Sequence, residues 1–201
     1  MKLRYAASVL CLLGVLACRQ SMAQADPFWL KSWNEAQKSR PAQLTSTGRI
    51  APATEPGTSL VIRGEIFKPD GRTPAPGVVV HAYHRDRDGF DFGPNDRALT
   101  TWRLQGWVRT DANGRFEFRT IRPAPDHMGR DGAHVHFTLE SQDFGRQWAP
   151  TLYFSDDPPS SGKGLADSAK AGEFGWVRPV RVVGETQETD VKIRLKEKAD
   201  F

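Results

Sequence analysis

From Leu60 onward the chain is a succession of short runs in which hydrophobic residues recur at every second position. Each run is closed by glycine, proline, aspartate or asparagine. A period of two is the period of a strand with one face buried, and the closing residues are those that turns require. Leu60, Ile62 and Ile66 alternate with polar or glycine positions, and Pro69-Asp70-Gly71 then turns the chain into Val78-Val79-Val80. Trp102 and Leu104 precede the turn Asp111-Ala112-Asn113-Gly114, after which Phe116 and Phe118 alternate. Ala133 to Leu139, Thr151 to Phe154, Val177 to Val183 and Val191 to Leu195 read as further strands. Many short strands with regular turns and no internal repeat predict an all-β domain, an antiparallel β-sandwich over residues 58–201. The Pro-, Ser- and Gly-rich stretch from Asp156 to Gly172 reads as a surface loop.

The residues before that domain follow other rules. Lys2 and Arg4 lead into an apolar run from Ala6 to Ala17 that reaches Ala23-Gln24-Ala25, the pattern of a cleavable signal peptide covering residues 1–25. The run is too short for a helix spanning a bilayer core of about 30 Å. The expectation is a periplasmic or secreted protein. A competing reading makes Cys18 a lipid-acceptor cysteine and so ties the protein to a membrane, although Leu16 fits that pattern poorly. Next, Asp26-Pro27 supplies a cap and a first-turn proline, and Trp29, Leu30, Trp33 and Ala36 recur at helical spacing up to Pro41. A short amphipathic helix docked on the domain, followed by an extended arm from Leu44 to Gly57, fills residues 26–57.

Charge and cysteine content exclude several functions. Taking Lys2, Arg4 and Arg19 of the leader from 28 basic residues leaves 25 against 24 acidic ones. A nearly neutral chain offers no electrostatic basis for nucleic-acid binding. Both cysteines, Cys11 and Cys18, belong to the leader or its border, so the exported domain has no internal disulfide and depends on its core. No C-x-x-C pair, H-E-x-x-H, phosphate-binding glycine loop or nucleophile elbow is present.

The segment Ala133-His134-Val135-His136-Phe137-Thr138-Leu139 carries the clearest chemical signal. On a strand His134 and His136 share one face, with Cα atoms about 6.5–7 Å apart, while Val135, Phe137 and Leu139 face the core. Two imidazoles so placed can converge on one metal ion. The same spacing also describes two solvated strand histidines, and the motif alone leaves both readings open.

The surrounding residues resemble the catalytic domain of the intradiol ring-cleavage dioxygenases, over roughly Ile62 to Phe154. The landmarks are Gly64-Glu65-Ile66 with Asp70-Gly71, the strand Val78 to Tyr83, and Thr110-Asp111 with Gly114-Arg115-Phe116-Glu117-Phe118. Thr120-Ile121-Arg122-Pro123, His134-Val135-His136-Phe137 and Leu152-Tyr153-Phe154 complete the series. The resemblance implies a non-haem Fe(III) held by two histidines and two tyrosines, and the opening of catechols between their hydroxyl-bearing carbons. The histidines carry over to His134 and His136. Where the family places its tyrosines, this chain has Asp91, after Asp88-Gly89-Phe90, and Asp126, after Pro123-Ala124-Pro125. The tyrosines outside the leader, Tyr83 and Tyr153, stand at neither position.

The implied ligand set is therefore His134, His136, Asp91 and Asp126, a donor set suited to iron, copper, manganese or zinc. The two aspartates are equally readable as turn residues, with His84 and His127 as substitutes and His81 as a structural histidine. The resemblance also implies that one tyrosinate leaves the iron and takes up a proton, a role that Asp91 or Asp126 would assume here, and Arg130, four residues before His134, matches imperfectly an arginine that the family keeps near its substrate. Arg130 would stabilise developing negative charge or stand as a solvated loop residue. The implied activity is a metal-dependent dioxygenase taking a small catechol-like or other phenolic aromatic and O2. The alternatives are a different metal-dependent reaction, such as hydrolysis or another oxidation, and a non-catalytic binding module.

Overall fold

The structure, a computed structural model, describes residues 25–92, 101–125, 127–159 and 161–201. The body of the leader, Cys18 with it, and Asp126 lie outside the described residues. Two sheets face one another. The first runs β1 (Thr47–Arg49), β5 (Arg115–Ile121), β2 (Ser59–Phe67), β11 (Thr186–Arg194), β10 (Arg181–Val183). The second runs β4 (Leu104–Arg109), β3 (Val79–His84), β6 (His134–Ser141), β8 (Leu152–Phe154), β9 (Val177–Arg178), and β7 (Gly145–Trp148) also pairs with β6. This is the sandwich that the period-two pattern predicts. Most neighbours are antiparallel, while β1 with β5, β11 with β2 and β8 with β9 run parallel.

The alternation explains which residues meet between the sheets. Leu60, Ile62 and Ile66 of β2, Phe116 and Phe118 of β5, and Val191 and Ile193 of β11 pack on Val80 and Ala82 of β3 and Val135, Phe137 and Leu139 of β6. Each fully buried chain of this kind contributes about 1.5–3 kcal/mol. Gly64 lies opposite Phe116 in the β2–β5 register, and a Cβ there would stand 2.0 Å from the Phe116 ring. The missing side chain is what lets the ring lie flat in the core.

Helix α1 (Pro27–Gln37) forms as its cap predicts, the Asp26 carboxylate accepting from the Phe28 amide at 2.7 Å and the Trp29 amide at 3.4 Å. Its Trp33 and Ala36 are buried on the outer face of the second sheet, against Val79, Tyr83, Trp102 and Trp107. In the arm that follows, β1 joins the first sheet beside β5.

The segment expected as a loop contains a helix, α2 (Gly162–Lys170). Its composition hides it, since Gly162 and Gly164 sit in the first turn and no apolar stripe marks a face. The Ser161 hydroxyl caps the helix by accepting from the Gly164 amide, and Lys163 pairs with Asp167 one turn on. The Ser168 hydroxyl accepts from the amides of Trp176 and Val177, both at 2.9 Å, and so ties the helix to β9. The run Val177–Val183 is likewise two strands, because the chain leaves the second sheet at Pro179 and enters the first at Arg181.

Candidate functional site

Strand β3 presents His81, Tyr83 and, just past its end, Arg85 on the outer face of the second sheet. Its register with β6 sets His81 opposite Thr138 and Tyr83 opposite His136. Continued by two residues, the same register sets Arg85 opposite His134. On the other side of β6, Tyr153 of β8 is the partner of His134. Each histidine thus has a tyrosine on the adjoining strand.

The imidazoles of His134 and His136 stand edge to face, with centroids 4.7 Å apart. Nδ1 of His134 lies 2.7 Å from the Gly132 carbonyl, which can only accept, so that nitrogen carries the proton and Nε2 keeps the lone pair. Metal-binding histidines commonly have this arrangement, the second nitrogen fixed by a carbonyl or carboxylate. Nδ1 of His136 is 3.4 Å from the Thr151 hydroxyl. Burial, helped by His134, Arg85 and His84 nearby, pushes the His136 imidazole down to about 3. His136 therefore stays neutral, the form in which an imidazole ligates.

The oxygen side of the site is arranged differently. Tyr83 stacks on His136 at 4.9 Å, and its hydroxyl accepts from Trp29 Nε1 at 2.8 Å. The Tyr153 ring is 5.1 Å from His134, and its hydroxyl donates to the Asp131 carboxylate at 2.5 Å. Burial raises both phenols well above their usual range, and the Asp131 charge adds to the rise for Tyr153. Both are neutral phenols.

Asp91 reaches the site on a turn in which the Asp86 carboxylate accepts from the amides of Asp88 and Phe90, both at 3.0 Å. Gly89 has φ +85° there, and a Cβ would stand 2.7 Å from the Pro125 carbonyl oxygen. The Asp91 carboxylate accepts from Arg85 Nε at 3.1 Å, and Nη1 of the same guanidinium donates to His134 Nε2 at 3.4 Å. Arg85 therefore stands between the expected carboxylate ligand and the expected imidazole ligand. Among the described residues no group of three or more His, Cys, Asp or Glu is placed to hold a metal ion. The residues fit a metal on their nitrogen side, with two neutral imidazoles on one face, while the described oxygen donors are a carboxylate paired with Arg85 and two protonated phenols.

The sequence profile described as "Dioxygenase" matches residues 35–196, most of the chain and all of this site. The chain belongs to the intradiol ring-cleavage dioxygenase family. Catechol 1,2-dioxygenase 1 of Acinetobacter lwoffii is 35% identical over 117 residues, covering 49% of this chain and 37% of that protein. Catechol 1,2-dioxygenase 2 of the same organism is 29% identical over 126 residues, covering 55% of this chain and 45% of that protein. The chain thus spans about half or less of the length of these curated relatives. The crystal structure of 3-chlorocatechol 1,2-dioxygenase from Rhodococcus opacus 1CP shares the fold, with a TM-score of 0.56 at 22% identity over 81% of this chain and 76% of that one.

Around the imidazole pair the other candidate residues take different places. His84 points away from His136, into the body of the domain, where Nδ1 donates to the Arg85 carbonyl and Nε2 accepts from Thr120 Oγ1, both at 2.6 Å. With both nitrogens engaged it is no substitute ligand. His81 is structural, as expected: it is buried, stacked on Trp107 at 4.6 Å and bonded to Gln105 at 3.0 Å. His127 is exposed and stacks on Phe90 at 5.1 Å. Together with Arg85, Asp91, Phe92 and Met128 these two rings line a cavity of about 310 Å³, which Arg85 separates from His134. A hollow of about 530 Å³ on the outer face of the first sheet is roomier, yet its walls include Arg63, Glu65, Arg115 and Lys192, far in the fold from the paired histidines. Arg130 is exposed on the loop before β6. The guanidinium in contact with His134 is that of Arg85, which motif matching passes over and strand register finds.

Proposed function

We propose that this family member is an exported, metal-dependent dioxygenase acting on a catechol-like or other phenolic aromatic with O2, and that His134 and His136 are the nitrogen ligands of a non-haem iron. The observation that carries the reading is the imidazole pair, held edge to face, with the Gly132 carbonyl leaving His134 Nε2 as a lone-pair donor. Bound there, iron would supply Lewis acidity toward the catechol oxygens and the redox capacity for reaction with O2. The chain's own residues do the rest. Phe90, Phe92, His127 and Met128 give the neighbouring cavity apolar and aromatic walls, and its volume of about 310 Å³ suits a single aromatic ring. Asp91, on the wall of that cavity, would accept a phenolic proton in place of the family's displaced tyrosinate, with Asp126 as the second carboxylate of the set. Arg130 stabilises negative charge on the oxygenated substrate.

A second reading has a specific observation behind it. Two protonated phenols and a carboxylate paired with arginine supply less negative charge than two phenolates, which favours a divalent ion such as Fe(II), Cu(II), Mn(II) or Zn(II) and a different reaction on the same scaffold.

One preparation tests both. Recovered from the periplasm or the medium, the protein should begin near Asp26, retain metal through dialysis and take up O2 with a catechol panel. His134→Ala and His136→Ala should each lose the metal while keeping the wild-type circular dichroism, because these side chains lie outside the core between the sheets. Full metal occupancy in both variants overturns the ligand assignment. Bound metal without O2 uptake selects the second reading, an inert metal-free protein selects a binding module, and a lipid on Cys18 overturns export in free form.

A further inference from the structure

Arg85 holds two groups that a metal at this site would need. Its Nε donates to the Asp91 carboxylate at 3.1 Å, and its Nη1 faces His134 Nε2 at 3.4 Å. The second contact uses the one lone pair that His134 can offer, since its other nitrogen is bound to the Gly132 carbonyl at 2.7 Å. Neither contact is accidental to the fold. The β3–β6 register carries Arg85 to His134, and the turn held by Asp86 and Gly89 brings Asp91 back beneath the same guanidinium. Arginine keeps its charge at every pH at which the protein is folded, so it leaves this position only by moving, never by losing a proton.

We propose that Arg85 is a resident cation of the site, competing with the metal for His134 Nε2 and for Asp91. This rests on the reading of His134 and His136 as metal ligands. Entry of the metal requires the guanidinium to swing toward the adjoining cavity, whose wall it already forms with Phe90, Phe92 and Met128. The same movement releases Asp91, so one displacement vacates the lone pair and supplies the carboxylate. Arg85 thus makes metal occupancy weaker than the ligands alone would allow, and it makes Asp91 available only when the metal is present.

The test is a calorimetric titration of the metal-stripped mature chain with Zn(II), a probe free of redox chemistry. Wild type, Arg85→Gln, Arg85→Lys, Arg85→Gln/Asp91→Asn and His134→Ala are compared, each first checked for wild-type circular dichroism. Arg85→Gln should bind at least about tenfold more tightly than wild type, because a unit positive charge within a few ångströms of the ion is gone and a carboxylate is uncovered. Arg85→Lys keeps the charge and should stay within about threefold of wild type. The double variant should lose most of the gain, because the carboxylate is absent. Equal or weaker binding by Arg85→Gln, with His134→Ala binding less than wild type, overturns the competition while leaving the metal site standing. Absence of binding in every variant overturns both together.

Discussion

The two outer faces of the sandwich are built from the same alternation and meet opposite needs. On the first sheet the outward residues are charged and open to water. Arg63 bonds Glu188 at 2.8 and 3.0 Å and Glu117 at 3.2 Å, while Arg115 and Lys192 both reach Glu65. On the second sheet helix α1 roofs the outward residues, so polar groups there must find partners inside the protein. Thr138 is capped by Trp33 Nε1 at 3.2 Å and Tyr83 by Trp29 Nε1 at 2.8 Å. One register step further along β3 and β6 neither helix tryptophan reaches, and His134 and Arg85 meet there beside a cavity. The difference teaches where a site can form. A face wholly open to water keeps its charges solvated, a face wholly roofed keeps its imidazoles inert, and the chemistry collects at the edge of the roof.

The comparison breaks most severely if the roof is removed. Trp33→Ala deletes a buried indole that stacks with Trp29, meets Phe201 edge-on at 5.2 Å and donates to Thr138. Large-to-small changes of this kind cost about 3–5 kcal/mol, and the Thr138 hydroxyl also loses its indole donor. Urea denaturation should show that loss with an unchanged slope. A loss below about 1 kcal/mol would mean that α1 rests on the sheet without stabilising it.

Protonation probes the buried imidazoles more gently, His81 beneath the roof and His84 between the sheets. Burial pushes His81 down to about 4 and His84 down to about 4, against an unfolded value near 6.5. Each folded-state value is depressed, so the unfolded chain binds protons that the folded protein refuses. Stability is therefore full above about pH 6.5 and falls as pH drops toward 4, by on the order of 3 kcal/mol for each such histidine. His81→Gln should flatten that slope by one histidine's share, whatever it does to stability at neutral pH. An unaltered slope would show that His81 does not titrate between the folded and unfolded states.

How much of this was legible beforehand follows from which interactions are local. The period of two, the turn residues and the Asp26-Pro27 cap act within a few residues, so the sandwich and α1 could be read directly. The shared face of His134 and His136 follows from the same alternation. What the sequence hid depends on partners distant along the chain. Helix α2 is fastened through Ser168 to Trp176 and Val177, and it lacks the apolar stripe that announces a helix. Arg85 shows itself only when β3 is paired with β6, and His84 looked available until Thr120 was brought against it from β5. The family landmarks pointed to His134, His136 and Asp91 as expected ligands, and strand register disclosed the Arg85 cation that stands between His134 and Asp91.

The smallest effect is expected on the open face, and it sharpens the comparison because the bonds there are as short as any beneath the roof. Arg63 meets Glu188 through a two-pronged bond, and that carboxylate holds the guanidinium above its ordinary value. Its side chain nevertheless keeps 43% of its accessible surface, so water and salt screen the pair and would solvate either partner left alone. Arg63→Met retains the stem that lies along the sheet and removes the charge. The midpoint of thermal unfolding should fall by no more than about 3 °C at low ionic strength, and by less in 1 M salt, where the wild-type bond is itself weakened. A drop as large as that of Trp33→Ala, or one indifferent to salt, would show that this face too is shielded from solvent. The contrast between the faces would then have to rest on their residues instead of on the roof.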